Sequence, residues 1–405
     1  MDVAPTSRSA RFRLVLVLGS LVALGPLTID MYLPALPSIV TDLHTTEPLV
    51  QLTLTGSLLG LGLGQLVIGP YSDAVGRRLP LVLGTLVHVV ASVLCAFASD
   101  VTMLAVLRVV QGLGAAATAV VAMAMVRDLF EGSAAATTIS HLTAVMGVAP
   151  ILAPSLGSAV LTAGSWRWVF GVLAVLGVAL VAVAMFAVRE TLPPERRNSF
   201  RARPVLRAFG SVLRDGQFVA LTLVAGLAFG TVFAYISAAP FIMREQYGLN
   251  DRQFGLVFGL GAFALITATQ FNPLLLRRFS PARVMLVATI GAIAGGLGLV
   301  VVPRFAPEAL AGFLVPLVVV LAGVALVMPN AAALALTRHG RTAGTAAAVL
   351  GAARFLLGSA VAPLVGVVGN GAGATAVVMT GSLVATLVFV VVSVLRERRE
   401  VAVPS

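Results

Sequence analysis

The sequence contains no lysine and a single cysteine among its 405 residues, and charged residues make up only 11% of it. Soluble domains carry roughly 25% charged residues, so the composition excludes an ordinary soluble protein. The lone cysteine, Cys95, excludes an intramolecular disulfide and a multi-cysteine metal site. The net charge of +11 does not indicate a nucleic-acid partner, because the arginines cluster between apolar runs as they do in cytoplasmic loops of membrane proteins.

Several kinds of catalytic chemistry are also missing. The sequence shows no pairing of a nucleophile with a histidine, no phosphate-binding loop and no clustered metal ligands. It therefore predicts neither an enzyme nor a bound cofactor or metal ion, although a membrane enzyme and a non-transporting receptor remain as alternatives. His88 and His141 are isolated, and each is either a core histidine or a proton relay.

What the sequence does contain is long apolar runs, and 59% of its residues are hydrophobic. Each run is long enough to cross a bilayer core of about 30 Å. The expected fold is an all-α polytopic membrane protein with an N-terminal six-helix bundle (1–188), a cytoplasmic linker (189–216) and a C-terminal bundle (217–405). The twelve predicted spans are 14–38, 49–70, 79–98, 101–125, 137–162, 167–188, 217–240, 253–275, 283–302, 309–333, 343–367 and 373–395.

The distribution of arginine predicts the orientation. If both termini are cytoplasmic, 21 arginines lie in cytoplasmic segments, four lie in outside loops, and Arg108 and Arg354 lie within the membrane. Cytoplasmic loops carry the excess of basic residues. The sequence therefore predicts a multi-pass protein with both termini in the cytoplasm.

Asp30 is an acid well inside the first span. An ionisable residue within the membrane is a functional candidate by default. Burial disfavours the charged form of a carboxyl group, so Asp30 could bind and release a proton; alternatively it is a solvated or paired acid near the outer mouth. Pro26 and Pro34 flank it and would open the local backbone. Arg108 lies at a similar depth, as a partner of Asp30 or as a structural hydrogen-bond hub.

The loop between the second and third spans combines glycines with charged residues, namely Gly69, Asp73, Gly76, Arg77 and Arg78. Gly76 would allow a tight turn, and Asp73 can meet a helix N-terminus. Arg77 can pair with an acid at the inner end of another helix, for which Asp128 is the candidate. The plain alternative is an ordinary arginine-rich cytoplasmic loop.

This spacing resembles the loop between helices 2 and 3 of the major facilitator superfamily. Arg108, Gln111 and Gly112 resemble the family's helix 4 motif, and Arg127-Asp128 resembles the pair at its inner end. The fifth span resembles the antiporter motif of the drug-exporting branch, with Ala153 and Ser158 in place of glycines; its candidate residues are Gly147, Pro150, Pro154 and Gly157.

Two further stretches, Ile29–Pro37 and Glu190–Arg197, look like the Bcr/CflA branch of twelve-helix drug:proton antiporters, which is related to chloramphenicol and florfenicol exporters. The resemblance implies two six-helix bundles around a central cavity. It also implies proton-driven export of small-molecule drugs across the inner membrane of a bacterial cell. We expect a monomer, although the sequence leaves the oligomeric state open. Protonation of Asp30 would displace substrate, and Asp73, Arg77 and Asp128 would hold the outward-facing state. A facilitator or importer of a small metabolite is the alternative.

A drug-binding cavity should be mostly apolar with a few polar groups. The residues that could line it are Asp30, Tyr32, Gln111, Phe233, Tyr235, Phe258, Asn330 and Arg354. The alternative for the aromatic residues is ordinary packing. Arg354 could contact an anionic substrate or pair with the other half of the chain. The sequence does not name the substrate or the number of protons.

Overall fold

A computed structural model of the chain describes residues 8–197, 202–305, 309–369 and 371–402. These residues are helical or lie in turns and loops, and none of them forms a strand. Twelve helices in this part of the chain are long and apolar enough to cross a membrane. The predicted all-α polytopic fold is therefore confirmed, and most predicted spans end within a few residues of the observed helices.

The described residues form fourteen α-helices. They are α1 (Arg8–Asp30), α2 (Leu36–Asp42), α3 (Glu47–Val75), α4 (Arg78–Ala96), α5 (Val101–Leu129), α6 (Gly132–Ala163), α7 (Arg167–Phe186), α8 (Ala202–Leu213), α9 (Gly216–Phe241), α10 (Asp251–Leu276), α11 (Pro281–Phe305), α12 (Leu310–Thr337), α13 (Ala343–Val368) and α14 (Ala372–Ala402). A π-helical turn, Ile242–Gln246, extends α9.

The first span is broken directly after Asp30. There α1 ends, a turn and the 3-10 segment Leu33–Ala35 follow, and α2 completes the crossing. Pro34 has no N–H to donate to the preceding turn and its ring disfavours a continuous helix. Pro26, by contrast, lies inside α1 without ending it. The prediction of one helix over 14–38 is wrong at this point, and the break places Asp30 at a helix end.

Several helices begin at a polar cap. The Asp100 carboxylate accepts hydrogen bonds from the backbone N–H groups of Thr102 and Met103, at 3.0 and 2.9 Å, and so starts α5. Asn250 and Gln253 form a reciprocal capping box at the start of α10. Such caps satisfy N–H groups that have no partner within the helix, which fixes where these two helices begin.

Small residues bring α3 and α5 into close contact. A Cβ atom at Gly60 would lie 2.8 Å from the backbone nitrogen of Leu113, and one at Gly112 would lie 3.0 Å from the carbonyl carbon of Ser57. No side chain fits in either space. Close contact of this kind is usual where small residues lie between membrane helices.

The chain divides into two compact units. The first comprises Met1–Thr45 and Gly56–Ala202, and the second comprises Thr46–Thr55 and Arg203–Ser405. The beginning of α3 therefore belongs to the second unit, which differs from the predicted boundary. Gln51 Nε2 donates to the carbonyl of Ser237 at 3.4 Å.

Each unit has its own apolar core. In the first unit α1, α5 and α6 surround a core that includes Leu18, Leu21, Val121 and Phe130. In the second unit α9 is the most buried span, and α12, α13 and α14 pack around it.

The linker contains a helix that the sequence analysis did not predict. In α8 the side chains of Arg203 and Arg207 are exposed, whereas Val212 is fully buried. The arginines and the apolar residues occupy different sides of a single helix, which is the pattern of a helix at an interface. The segment is too short to span a membrane, and its arginines led us to interpret it only as a linker.

Candidate functional site

Asp30 is buried at the end of α1, with 4% of its surface exposed. Its carboxyl group has no hydrogen bond or ion pair with any residue that the structure describes. An acid with no partner in an apolar setting is costly when charged and far less costly when protonated. This isolation suits Asp30 to a role in which it gains and loses a proton.

Arg108, on α5, lies at the centre of a buried polar network beside this acid. Its Nη1 donates to the carbonyl of Thr28 at 3.0 Å and to Oε1 of Gln111 at 2.6 Å. Its guanidinium carbon lies 4.4 Å from the ring centre of Tyr32 and 5.7 Å from that of Phe170. Hydrogen bonds and aromatic rings together hold this cation within the apolar interior.

The network continues to His88 on α4. Gln111 Nε2 donates to Ser92 Oγ at 2.8 Å, and Ser92 Oγ donates to the carbonyl of His88. The Thr28 hydroxyl donates to the carbonyl of Leu24 and lies 2.8 Å from His88 Nε2. A Thr28 hydroxyl that donates to Leu24 can accept from His88, so this arrangement fits the His88 tautomer that has its proton on Nε2.

His88 is therefore a structural member of the Arg108 network, whereas His141 is exposed on α6. The sequence alone left both histidines open. The two histidines differ because His88 forms a hydrogen bond with Thr28. That bond depends on the packing of α1 against α4, which the sequence does not show.

The structure does not pair Asp30 with Arg108. Within the described residues no salt bridge joins them. Arg108 instead contacts the carbonyl of Thr28, two residues before the acid, and the ring of Tyr32, two residues after it. The expectation of a direct partnership is corrected to an indirect one. Arg108 holds the backbone carbonyl of Thr28 and the side chain of Tyr32, while the Asp30 carboxyl group has no partner among the described residues.

The helix that carries the antiporter-like motif packs on the break after Asp30. A Cβ atom at Gly157 would lie 2.9 Å from the carbonyl carbon of Met31 and 3.0 Å from Cγ of Pro34. Only glycine allows this approach. Pro150 and Pro154 both lie inside α6, which continues through them, and Gly147 lies one turn earlier in the same helix. The motif thus contacts the turn that follows the acid.

The loop between α3 and α4 forms a charge cluster around Arg77, which is 6% exposed. Arg77 bonds Asp128 through Nε at 2.7 Å and Nη2 at 3.2 Å. Its Nη1 bonds Asp73 at 2.5 Å and the Ser72 hydroxyl at 2.8 Å. The predicted contact between Arg77 and Asp128 is present, in the two-pronged geometry that suits a guanidinium and a carboxylate.

Glu190 completes this cluster, and the sequence analysis did not assign it a role. Its Oε1 accepts from the backbone N–H of Arg77 at 2.8 Å and its Oε2 from that of Arg78 at 3.2 Å, at the start of α4. We expected Asp73 to meet a helix N-terminus; that prediction is wrong, because Asp73 bonds the Arg77 side chain and Glu190 caps the helix. Gly76 has a φ of +99°, and a Cβ atom there would lie 2.5 Å from Glu190 Oε2.

Glu190 and its neighbour tie the end of the first unit to this loop. Thr191 Oγ1 donates to Asp128 at 2.9 Å. Burial opposes ionisation of Glu190, but the backbone N–H groups of Arg77, Leu192 and Arg78 outweigh it and lower its pKa. The stretch that begins with Glu190-Thr191 resembles a family branch, but this resemblance did not predict the contacts of Glu190 and Thr191 with the loop.

Gly69 and Arg78 have smaller parts in the cluster. The carbonyl of Gly69 accepts from the Ser72 hydroxyl at 2.9 Å, and Nη2 of Arg78 donates to the carbonyl of Met185. Both contacts stay within the first unit. They anchor the two ends of the loop that presents Arg77.

The predicted substrate residues of the second unit fall into separate groups. Tyr235 stacks on Phe258 with ring centres 5.6 Å apart. Asn330 Nδ2 bonds Asn272 Oδ1 at 2.7 Å, which satisfies the amide within the protein. Phe233 lies against Phe229, whose ring faces the guanidinium of Arg354. Tyr32 and Gln111 are already engaged by Arg108 in the first unit.

The twelve spans and the buried ionisable network define the class of protein: a polytopic membrane transporter. The chain belongs to the Major Facilitator Superfamily, whose family model matches residues 18–363.

Similar proteins carry names within this class. The chain is 36% identical to an uncharacterized MFS-type transporter, YdgK, of Bacillus subtilis, over 90% of each chain. It is 30% identical to a bicyclomycin resistance protein homolog of Haemophilus influenzae, over 88% of this chain and 90% of the other. It is 29% identical to the multidrug resistance protein MdtL of Escherichia coli, over 87% and 88%.

Solved structures share the fold. The xylose transporter XylE of E. coli, in a partially occluded inward open conformation, has a TM-score of 0.73 at 14% identity and covers 94% of this chain and 97% of its own. An identity this low supports the fold alone.

Proposed function

We propose that this protein is a proton-coupled antiporter that exports small-molecule drugs across a bacterial inner membrane by alternating access. The observation that carries the proposal is the buried Asp30 carboxyl group, which has no hydrogen-bond or ion-pair partner among the described residues. The names of the bicyclomycin and multidrug resistance relatives support drugs as the cargo.

The proposed cycle uses competition at Asp30. Protonation from the outside neutralises the acid and favours release of the drug, and deprotonation towards the cytoplasm restores a site that accepts the next drug molecule. Arg108 holds the Thr28 carbonyl before Asp30 and the Tyr32 ring after it. Gly157 allows α6 to contact the turn after Asp30. In this proposal a change in the protonation of Asp30 therefore alters the packing of α6 against that turn.

The cluster around Arg77 acts as the conformational latch in this proposal. Arg77, Asp73 and Asp128 hold the cytoplasmic ends of α3, α4 and α5 together, and Glu190 adds the segment after α7. Charge-assisted hydrogen bonds are strong but geometrically demanding. A shift of one helix end would break several of them together, so the cluster favours one state of the transport cycle.

The test is proton movement in proteoliposomes under an imposed pH gradient, with chloramphenicol and bicyclomycin added in turn. We expect drug-triggered proton flux with the native protein, and its loss with Asp30→Asn, which retains the shape of the side chain. Glu131→Gln is the matched control, because Glu131 is an exposed acid that makes no cap bond.

Two outcomes would contradict the proposal. Native-like flux from Asp30→Asn would remove Asp30 from the coupling. Substrate exchange that ignores the pH gradient would instead favour a facilitator of a small metabolite.

A further inference from the structure

A second cation, Arg354, lies in the middle of a membrane span of the second unit. It is the twelfth of the 26 residues of α13, which places it about 16 Å along the helix from its first residue. Phe229 is at a similar midpoint in α9, the fourteenth of 26 residues. The pair therefore lies far from the polar headgroups at which long basic side chains usually end.

The contacts of Arg354 are aromatic. Its guanidinium carbon lies 5.0 Å from the ring centre of Phe229. That ring lies 4.7 Å from the ring of Phe233 and 5.2 Å from that of Phe355. The cation thus rests on the edge of a three-ring aromatic cluster formed by α9 and α13.

Among the described residues of this unit, Arg354 has no polar partner. Its Nε is buried and donates no hydrogen bond, and no ion pair involves it among the residues that the structure describes. Arg108 also has a buried Nε and Nη2 without a hydrogen bond, but its Nη1 donates two, to Thr28 and Gln111, whereas Arg354 donates none among the described residues. Unpaired charge within a membrane is costly, so an unpaired guanidinium at this depth indicates a site that a ligand completes.

The chemistry of the site defines the ligand class. A guanidinium presents a planar fork that matches a carboxylate or a similar oxyanion, and phenylalanine rings offer surface to an aromatic group but no hydrogen-bond acceptor. Resting on the function proposed above, we propose that Arg354, Phe229 and Phe233 form a recognition site for aromatic substrates that carry an anionic group. The anion pairs with the guanidinium and the aromatic ring packs on the phenylalanines.

Export of an anion, rather than of a neutral molecule, changes the net charge that one transport cycle moves across the membrane. When one anion leaves as one proton enters, negative charge moves out and positive charge moves in, so two charges contribute in the same direction. A membrane potential that is negative inside drives both movements. A neutral substrate exchanged for one proton moves only one charge, so the potential accelerates anion exchange more than exchange of a neutral analogue.

The test compares 2-naphthoate with its methyl ester, which has the same rings but no charge. We expect the purified native protein to bind the acid at least tenfold more tightly than the ester. Arg354→Gln should remove this preference by weakening the binding of the acid and leaving the binding of the ester unchanged. Arg354→Lys should retain part of the preference. Arg283→Gln is the matched control, because Arg283 faces Phe279 at 5.1 Å but is exposed at the start of α11.

A second measurement uses proteoliposomes with a potassium diffusion potential. Proton entry driven by 2-naphthoate should rise severalfold when the interior is made negative, and more than entry driven by the ester. This comparison uses the native protein and holds even if Arg354→Gln fails to fold.

The assignment is overturned if the native protein shows no preference for the acid, if it binds neither compound, or if folded Arg354→Gln retains the preference. The function proposed above fails separately, in the Asp30→Asn flux assay with chloramphenicol and bicyclomycin. If the protein passes that flux assay but binds 2-naphthoate and its ester equally, the proposed function stands and the proposed substrate class is wrong.

Discussion

At the scale of single residues, the most informative contrast is between Asp30 and Arg108. Both are buried ionisable groups in the first unit, yet the arginine donates hydrogen bonds to Thr28 and Gln111 and the acid has no partner among the described residues. Their sequence positions predicted similar depth but not this asymmetry. The direction in which each side chain points depends on how α1 and α5 pack against each other. A local sequence pattern carries no information about that packing.

We expect Arg108→Lys to disrupt the network although it keeps the charge. Lysine has a compact ammonium and no planar group to lie over the Tyr32 ring while one of its nitrogens donates to Thr28 and Gln111, and a lost hydrogen bond to a charged group costs about 1.5–3 kcal/mol. Thermal unfolding in detergent should show a clear loss of stability, and drug-driven proton flux should fall at least tenfold. Arg283→Lys, with a similar ring contact but an exposed side chain, should change neither; an unaffected Arg108→Lys would contradict the role assigned to the guanidinium.

Gly157→Ala tests the contact between α6 and the turn after Asp30. The added Cβ would lie 2.9 Å from the carbonyl carbon of Met31, so the helix or the turn must shift, and overpacking of this kind costs about 1–3 kcal/mol. We expect proton-coupled flux to fall more than stability alone explains. Gly25→Ala is the control, since nothing lies within 4 Å of its Cβ position; equal effects of the two changes would show that the contact has no special role.

At the scale of elements, the loop after α3 shows what a motif can and cannot predict. Its residue spacing predicted the pairing of Arg77 with Asp128, and both hydrogen bonds are present. The spacing did not indicate Glu190, which lies more than 110 residues further along the chain and caps α4. When a residue from a distant segment caps a helix, the sequence near the start of that helix contains no signal of the cap.

The pH dependence of stability should reveal this distant cap. The pKa of Glu190 is lowered in the folded protein, so its stabilising effect is fully present above the ordinary glutamate pKa of about 4.3. That effect is lost as the pH falls through the lower folded-state value. We expect Glu190→Gln to be less stable than the native protein by about 1 kcal/mol at pH 7, as for other lost caps.

The measurement is thermal unfolding from pH 7 to pH 3 in detergent. The stability difference between the native protein and Glu190→Gln should stay constant down to about pH 4.3 and then shrink. Glu131→Gln should show no such difference at any pH, because Glu131 makes no cap bond. A difference that persists unchanged at pH 3 would mean that the charge of Glu190 is not what stabilises the loop.

At the scale of the whole molecule, the sequence predicted the number and place of the spans well. Long apolar runs must cross the membrane as helices, because backbone groups have no other partners there. The break in the first span, the amphipathic helix α8 and the assignment of 46–55 to the second unit were not predicted. Each of these depends on packing or on a mixed polar and apolar face, which a search for apolar runs does not detect.

The account as a whole depends on competition between a proton and a drug at Asp30. The most direct test adds chloramphenicol or bicyclomycin to purified protein in weakly buffered detergent and measures the protons released. We expect the native protein and Glu131→Gln to release protons as drug binds, and Asp30→Asn to bind drug without releasing any. Proton release that is the same in Asp30→Asn as in the native protein would contradict the account.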